Sequence, residues 1–167
     1  MKTLFCLRIV TALLLVLSAG SSFAQVKSKA KPLHKAQPDA NTLANRKALT
    51  AFEREFRGAA NINWSKVDES FHVSFIMDRQ KNAVLYSGDG NMIYRVIFGA
   101  GKNLTKNVAD EVNGEYPNCK IQSVFHVFQG RADVWFVDLQ QEKSLIQARV
   151  EDGLLMEDYR IRNQNLE

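Results

Sequence analysis

The sequence predicts an α+β fold made of two tandem units, each a helix followed by a four-stranded antiparallel meander. Three observations lead there. Apolar residues recur at helical spacing twice, around Leu49–Phe56 and around Val108–Val112. Each helix is followed by four short β-branched or aromatic runs separated by turn residues. The two halves align with an offset of about 60 to 63 residues, which points to a repeat.

The polypeptide opens with MKTLFCLRIVTALLLVLSAGSSFAQ. Lys2 and Arg8 precede the apolar run Ile9–Leu17, and the small residues that follow end at Ala24. That order is the pattern of a secretory signal, so residues 1–24 are expected to be removed and the mature protein to be periplasmic or secreted. The apolar run is about half the ~20 residues that span a bilayer, so no transmembrane anchor is expected in the mature protein. Residues 25–41 carry four lysines, Pro32 and Pro38 but almost no large apolar residue, as expected of a flexible basic linker. The formal charge of +4 therefore sits in the leader and linker, leaving residues 42–167 close to neutral. A nucleic-acid-binding domain carries its cations on the fold itself, which excludes nucleic acid as an expected partner. Cys6 leaves with the leader and Cys119 remains alone, so no internal disulfide is available and packing must hold the fold.

Within the domain, residues 42–57 read as the first helix, with Leu49, Phe52 and Phe56 on one face and Gly58 as its stop. Strands are expected at 60–67, 71–77, 83–87 and 92–98, the last two joined by Gly88-Asp89-Gly90-Asn91. The first repeat thus covers about 42–99. The second, about 103–162, has a helix at 105–113 ending at Gly114 and strands at 120–128, 132–139, 144–150 and 154–161. Their connections read as three residues each: Gln129-Gly130-Arg131, Gln141-Glu142-Lys143 and Glu151-Asp152-Gly153. In the alignment Phe56 falls on Tyr116, Val73 on Val134, Phe75 on Phe136, Gly90 on Gly153 and Phe98 on Ile161.

Several stretches resemble the PepSY-like, β-lactamase-inhibitor-protein-like family of small exported bacterial proteins. They are Ala51-Phe52-Glu53-Arg54-Glu55-Phe56, the segment Ala59–Val67, the alternating strand Phe71–Met77, the Ser87-Gly88-Asp89-Gly90 turn and Glu115-Tyr116-Pro117. The resemblance runs from about Leu43 to Arg162 and implies a β-lactamase-inhibitor-like fold of uncharacterised role. It also implies a sheet surface that binds protein. The sequence departs from the inhibitor itself in having no cysteine pair in either unit, and the inhibitory loops have no residue-by-residue counterpart. Shared fold therefore does not carry inhibition across.

Catalytic groupings are missing from the pattern. His34 lies in the linker, and His72 and His126 lie in strands without a ligand at metal-binding spacing. Ser65, Ser70, Ser74 and Ser123 lack a G-x-S-x-G context. Gly88-Asp89-Gly90 lacks the helix and lysine of a phosphate loop, and Asp89 and Asp152 read as turn formers. No enzyme activity, metal or cofactor is expected.

Strand alternation points instead to a binding face. With Phe71, Val73, Phe75, Val134 and Phe136 under the helices, the pleat would place His72, Val84, Tyr86, Arg95, Ile97, Trp135, Val137, Arg149, Asp158 and Arg160 on the opposite side. Of these, Tyr86, Arg95, Ile97, Trp135, Arg149 and Arg160 form the candidate partner-binding face, because Tyr, Trp and Arg dominate binding hot spots. Two uses fit. One is a non-catalytic binding or inhibitor-like module holding an envelope protein or peptide; the other is a self-associating structural or stress-linked envelope protein. A register error of one residue would exchange the two faces, and burial of Trp135 between sheets or in a dimer is equally compatible. Trp64 is expected in the core.

Overall fold

The computed structural model describes residues 46–162, which all fall within the compact unit Pro38–Glu167. The expected leader (1–24) and linker (25–41) lie outside the described residues, as do positions 42–45 of the first helix. The element order is α1 (Arg46–Glu55), β1 (Ala60–Val67), β2 (Ser70–Met77), β3 (Gln80–Tyr86) and β4 (Met92–Gly99). A 3₁₀ turn at Gly101–Asn103 leads to α2 (Lys106–Glu115), β5 (Lys120–Gln129), β6 (Ala132–Gln141), β7 (Ser144–Glu151) and β8 (Leu154–Arg162). All eight strands form one antiparallel sheet in sequence order. The two sets of four strands are joined by pairing of β4 with β5, from Arg95↔Phe128 to Gly99↔Val124.

Local residue chemistry sets the element ends. Helix α1 stops at Glu55, with the Phe56 N–H still bonded to the Phe52 carbonyl and Gly58 turning the backbone at φ 90°. Helix α2 runs past Gly114, which is not its stop. Pro117 disfavours helical geometry at Tyr116, whose N–H closes the last turn on the Val112 carbonyl. Gly90 is required by a close approach: a Cβ there would lie 2.8 Å from the Lys47 backbone, where the β3–β4 turn meets α1.

The hairpins decide which side chains face where. Connections at Asp68-Glu69, Asp78-Arg79, Gly130-Arg131, Glu142-Lys143 and Asp152-Gly153 are two residues long, flanked by the pairs Val67↔Ser70, Met77↔Gln80, Gln129↔Ala132, Gln141↔Ser144 and Glu151↔Leu154. Asp78 and Arg79 both have positive φ, as do Asp152 and Gly153, the geometry of type I′ turns that match strand twist. Three-residue connections would shift each register by one residue and reverse the faces. In the observed register Val73 faces Val84 and Phe71 faces Tyr86, so Val84 and Tyr86 lie beneath α1, each 0% exposed.

Both helices therefore pack on the same face of the sheet. Under α1 the core is aromatic: Phe52 and Phe56 meet Phe75, with Trp64 and Phe71 at the margin. Trp64 thus packs against the core as expected. Under α2 the core is aliphatic, with Val108 and Val112 on Val124, Val137, Leu139, Ile146 and Val150. Val134 and Phe136 are not beneath a helix; they pair with Val127 and Phe125 on the other side of the sheet.

Candidate functional site

The register divides the six candidate face residues. Tyr86 belongs to the α1 core, where its hydroxyl bonds to Glu55 Oε2 at 3.4 Å and burial raises its phenol pKa. Arg95, Ile97 and Trp135 share the helix-side face but sit on the central strands, outside the buried set of either helix core. Arg149 points the opposite way, bonded through Nε to Asp158 and through Nη1 to Glu151. Arg160 lies on the edge strand β8 and holds Glu157 and Gln141. The six do not form one surface, because two-residue hairpins exchange odd and even positions between neighbouring strands.

Two surfaces result. The first is a helix-side strip across β4, β5 and β6, assembled by the pairs Arg95↔Phe128, Ile97↔His126 and His126↔Trp135. His126 stacks on Trp135 with centroids 3.7 Å apart and an interplanar angle of 17°, and its Nε2 contacts Asp133 Oδ1 at 2.6 Å. The Arg95 guanidinium lies 5.0 Å from the Phe56 centroid and 5.9 Å from that of Phe128. Its Nε and Nη2 donate to Oδ1 of the buried Asn82 at 3.2 and 2.8 Å. Burial pushes the Arg95 pKa down, with Asp78, Tyr86 and Glu55 opposing.

The second surface is the face that carries neither described helix. Its centre is apolar: Val96, Val127, Val134 and Phe136 are buried, while Ile76, Leu85, Tyr94 and Phe98 are half-exposed around them. Phe98 meets Phe125 edge to face at 5.6 Å, and Lys81 Nζ lies over the Phe98 ring at 5.1 Å. Burial raises the Tyr94 phenol above its usual pKa. Toward β8 the face becomes polar, through Ser123–Asp138–Gln147 and Glu151–Arg149–Asp158. Sequence reasoning missed Tyr94 and Phe98. The one cue in this nearly uninterrupted apolar strand is Arg95, whose place on the helix side puts Tyr94 and Phe98 on the opposite face.

The histidines offer limited chemistry. Ser65 Oγ and His72 Nδ1 are 3.3 Å apart, the long end of such a bond, and His72 Nε2 is buried without a hydrogen-bond partner among the described residues. Burial, then the Lys81 charge, lowers the His72 pKa, which keeps the ring neutral. A Ser–His pair whose second ring nitrogen has no partner lacks the orienting group of a hydrolytic triad. Cys119 is a free thiol whose pKa is pushed up by burial, the opposite of an activated nucleophile. Among the described residues no three His, Cys, Asp or Glu side chains converge to hold a metal ion. None of the described helices is long and apolar enough to cross a membrane.

No family profile matches the sequence, and no curated protein matches it. Solved structures do match. A BLIP-like protein from Bacteroides fragilis NCTC 9343 superposes with a TM-score of 0.62 at 14% identity, over 72% of this chain and 88% of that one. A DUF2874 family protein from Bacteroides ovatus ATCC 8483 gives 0.59 at 16%, over 72% and 88%. A protein from Bacteroides eggerthii DSM 20697 whose name places it in the periplasm gives 0.60 at 15%, over 71% and 90%. The protein has a BLIP-like α+β fold. Identity this low establishes the fold and nothing finer.

Proposed function

We propose that this protein is an exported, non-catalytic binding module of the PepSY-like type, built from two tandem α-β4 units, that engages a protein or peptide through the sheet face that carries neither described helix. One observation carries the reading: the face that carries neither described helix is apolar and aromatic at its centre, where the unpacked side of an antiparallel sheet is normally polar. Half-exposed Leu85, Tyr94 and Phe98 over a buried apolar floor make an anchor site of the kind that marks interaction surfaces. Export is supported by the leader pattern ending at Ala24 and by the periplasmic name of one structural neighbour. The partner is then an envelope protein or peptide, and the site needs no cofactor.

A second reading is self-association as a structural or stress-linked envelope protein. It draws on the open edge strand β8, where Leu154 and Ile161 are 67% and 56% exposed. One experiment separates the two. A photocrosslinking benzoylphenylalanine at position 98, in cells making the full-length protein, should give one discrete adduct with another protein, and the same group at exposed position 53 on α1 should give none. A dimer-sized homo-adduct would favour self-association. Equal yields at both positions, or no adduct at 98, would remove the face from consideration.

A further inference from the structure

On the opposite side of the sheet, Arg95 is a half-buried cation with no ion-pair partner among the described residues. None of their carboxylates lies within 4.0 Å of it, although Glu55 and Asp78 are near enough to be felt. Taking a guanidinium partly out of water without a counter-ion costs free energy, so the arrangement needs a reason. Its geometry is fixed on three sides. Asn82, 1% exposed and itself held by donation to the Gln80 carbonyl, takes the Nε–H and one Nη2–H on a single oxygen. The guanidinium carbon also lies over the Phe56 and Phe128 rings. Nη1 donates to none of the described residues, so the donors that remain point away from Asn82.

We infer that the helix-side strip centred on Arg95 is a second binding site, taking the Asp or Glu carboxylate of an acidic peptide segment with apolar neighbours. A preorganised, desolvated guanidinium is the natural receptor for a carboxylate. Phe128 and the stacked His126–Trp135 pair give the flanking residues an apolar shelf two strands wide. Two alternatives fit less well. Capture of a terminal α-carboxylate uses nests of free backbone N–H groups, and on this strip those groups are engaged in the β4–β5 and β5–β6 ladders. A phosphate dianion wants several cations. Here Asp133 occupies His126, and Glu55 and Asp78 add negative charge around the one guanidinium.

The competing explanation is that Arg95 only braces the carboxyl-terminal end of α1 through Phe56. NMR titration of the protein, watching the Arg95 Nε–H and Trp135 indole N–H signals, separates the two. The probes are Ac-Phe-Glu-Phe-amide, its Gln counterpart and a phosphoserine counterpart. The Glu peptide should give saturable shifts at both signals, with affinity at least tenfold above the Gln peptide. Arg95→Gln should erase that difference, and Arg95→Lys should restore only part of it. Three outcomes would each overturn the proposal: no saturable shift, equal shifts with the Gln peptide, or tighter binding of the phosphoserine peptide. Should Arg95→Gln unfold the domain, Phe128→Ala supplies the alternative. It leaves the Asn82 contacts in place and should weaken the Glu peptide at least threefold; unchanged binding would equally overturn the proposal. The readout is independent of crosslinking at position 98, which lies on the other face.

Discussion

The two helix-packed cores solve one topological problem with different materials. Beneath α1 the space is filled by rings, with Phe52 centred 5.4 Å from both Phe56 and Trp64 and 5.0 Å from Phe75. Beneath α2 it is filled by branched aliphatics, and the helix itself buries only Val108 and Val112. Each core is closed by a tyrosine–glutamate bond, but with the roles exchanged. Tyr86 comes from the sheet and Glu55 from the helix in one; Tyr116 follows the helix and Glu157 lies on the sheet in the other. Layer geometry is thus preserved while the identity of the packed residues is free to vary, as cores tolerate when volume and pattern are kept.

The largest expected effect exposes that asymmetry. Phe52→Ala removes a ring at the centre of the aromatic cluster and should cost about 3–5 kcal/mol. Val112→Ala, also fully buried, removes two methyl groups and should cost about 2 kcal/mol. The protein's two tryptophans report one core each: Trp64 borders the first and Trp135 the second. In urea titrations of Trp64→Phe and Trp135→Phe variants the two transitions should coincide, because β4 and β5 pair continuously across the join. Separate midpoints would mean the halves unfold independently, and the comparison would then be between two domains.

How much of this was legible depends on where the sequence alternates. Phe71–Met77 carries a clean period of two, and its inward face was readable. Val134-Trp135-Phe136-Val137 is apolar without interruption, because both sides of β6 are packed or covered by neighbours, so its phase carries no signal. Ala83–Tyr86 and Val96-Ile97-Phe98 have the same defect. Phase then rests on hairpin length, and Asp78-Arg79 does not announce a two-residue turn as Asp152-Gly153 does. Element types and order were therefore accessible, while the site was not: a one-residue error put Tyr86 outside the core and left Tyr94 and Phe98 unnoticed. Arg95, Ile97 and Trp135 were still grouped on one face, as the pairs Arg95↔Phe128, Ile97↔His126 and His126↔Trp135 place them.

The exchanged tyrosine–glutamate bonds give the next effect, at alkaline pH. Burial first, and then the neighbouring glutamate, raises the Tyr116 phenol to about 12 and the Tyr86 phenol further. Since the folded pKa values exceed the unfolded value of about 10, this contribution is complete below pH ~10 and is lost as pH rises toward 12. Each tyrosine should lose its stabilising contribution progressively across that window. Thermal melts of Tyr86→Phe with Tyr116→Phe should show a markedly flatter fall than the parent between pH 10 and 12. A parallel fall would mean that other groups drive alkaline unfolding.

The smallest effect tests the turns that set the faces. Arg79 holds φ 63° and Asp78 φ 52°, left-handed geometry that costs a residue with a Cβ about 1–2 kcal/mol. The β7–β8 hairpin, with the same pair of positive φ angles, places Gly153 at φ 75°, where that cost vanishes. Arg79→Gly relieves the strain but adds the backbone entropy of glycine, about 0.5–1 kcal/mol, so the net gain should be roughly 0.5 kcal/mol. Gly153→Ala runs the exchange in reverse. A Cβ there would meet nothing within 4 Å, so its expected loss of about 0.5–1 kcal/mol is a pure backbone term. Opposite signs in urea midpoints at unchanged m-values would show that both hairpins rely on the same turn geometry and that only one has the residue suited to it. A stabilising Gly153→Ala would instead mean that the β7–β8 turn relaxes out of the left-handed region. The face assignment of β8, including Glu157 beside Tyr116, would then have to shift with it.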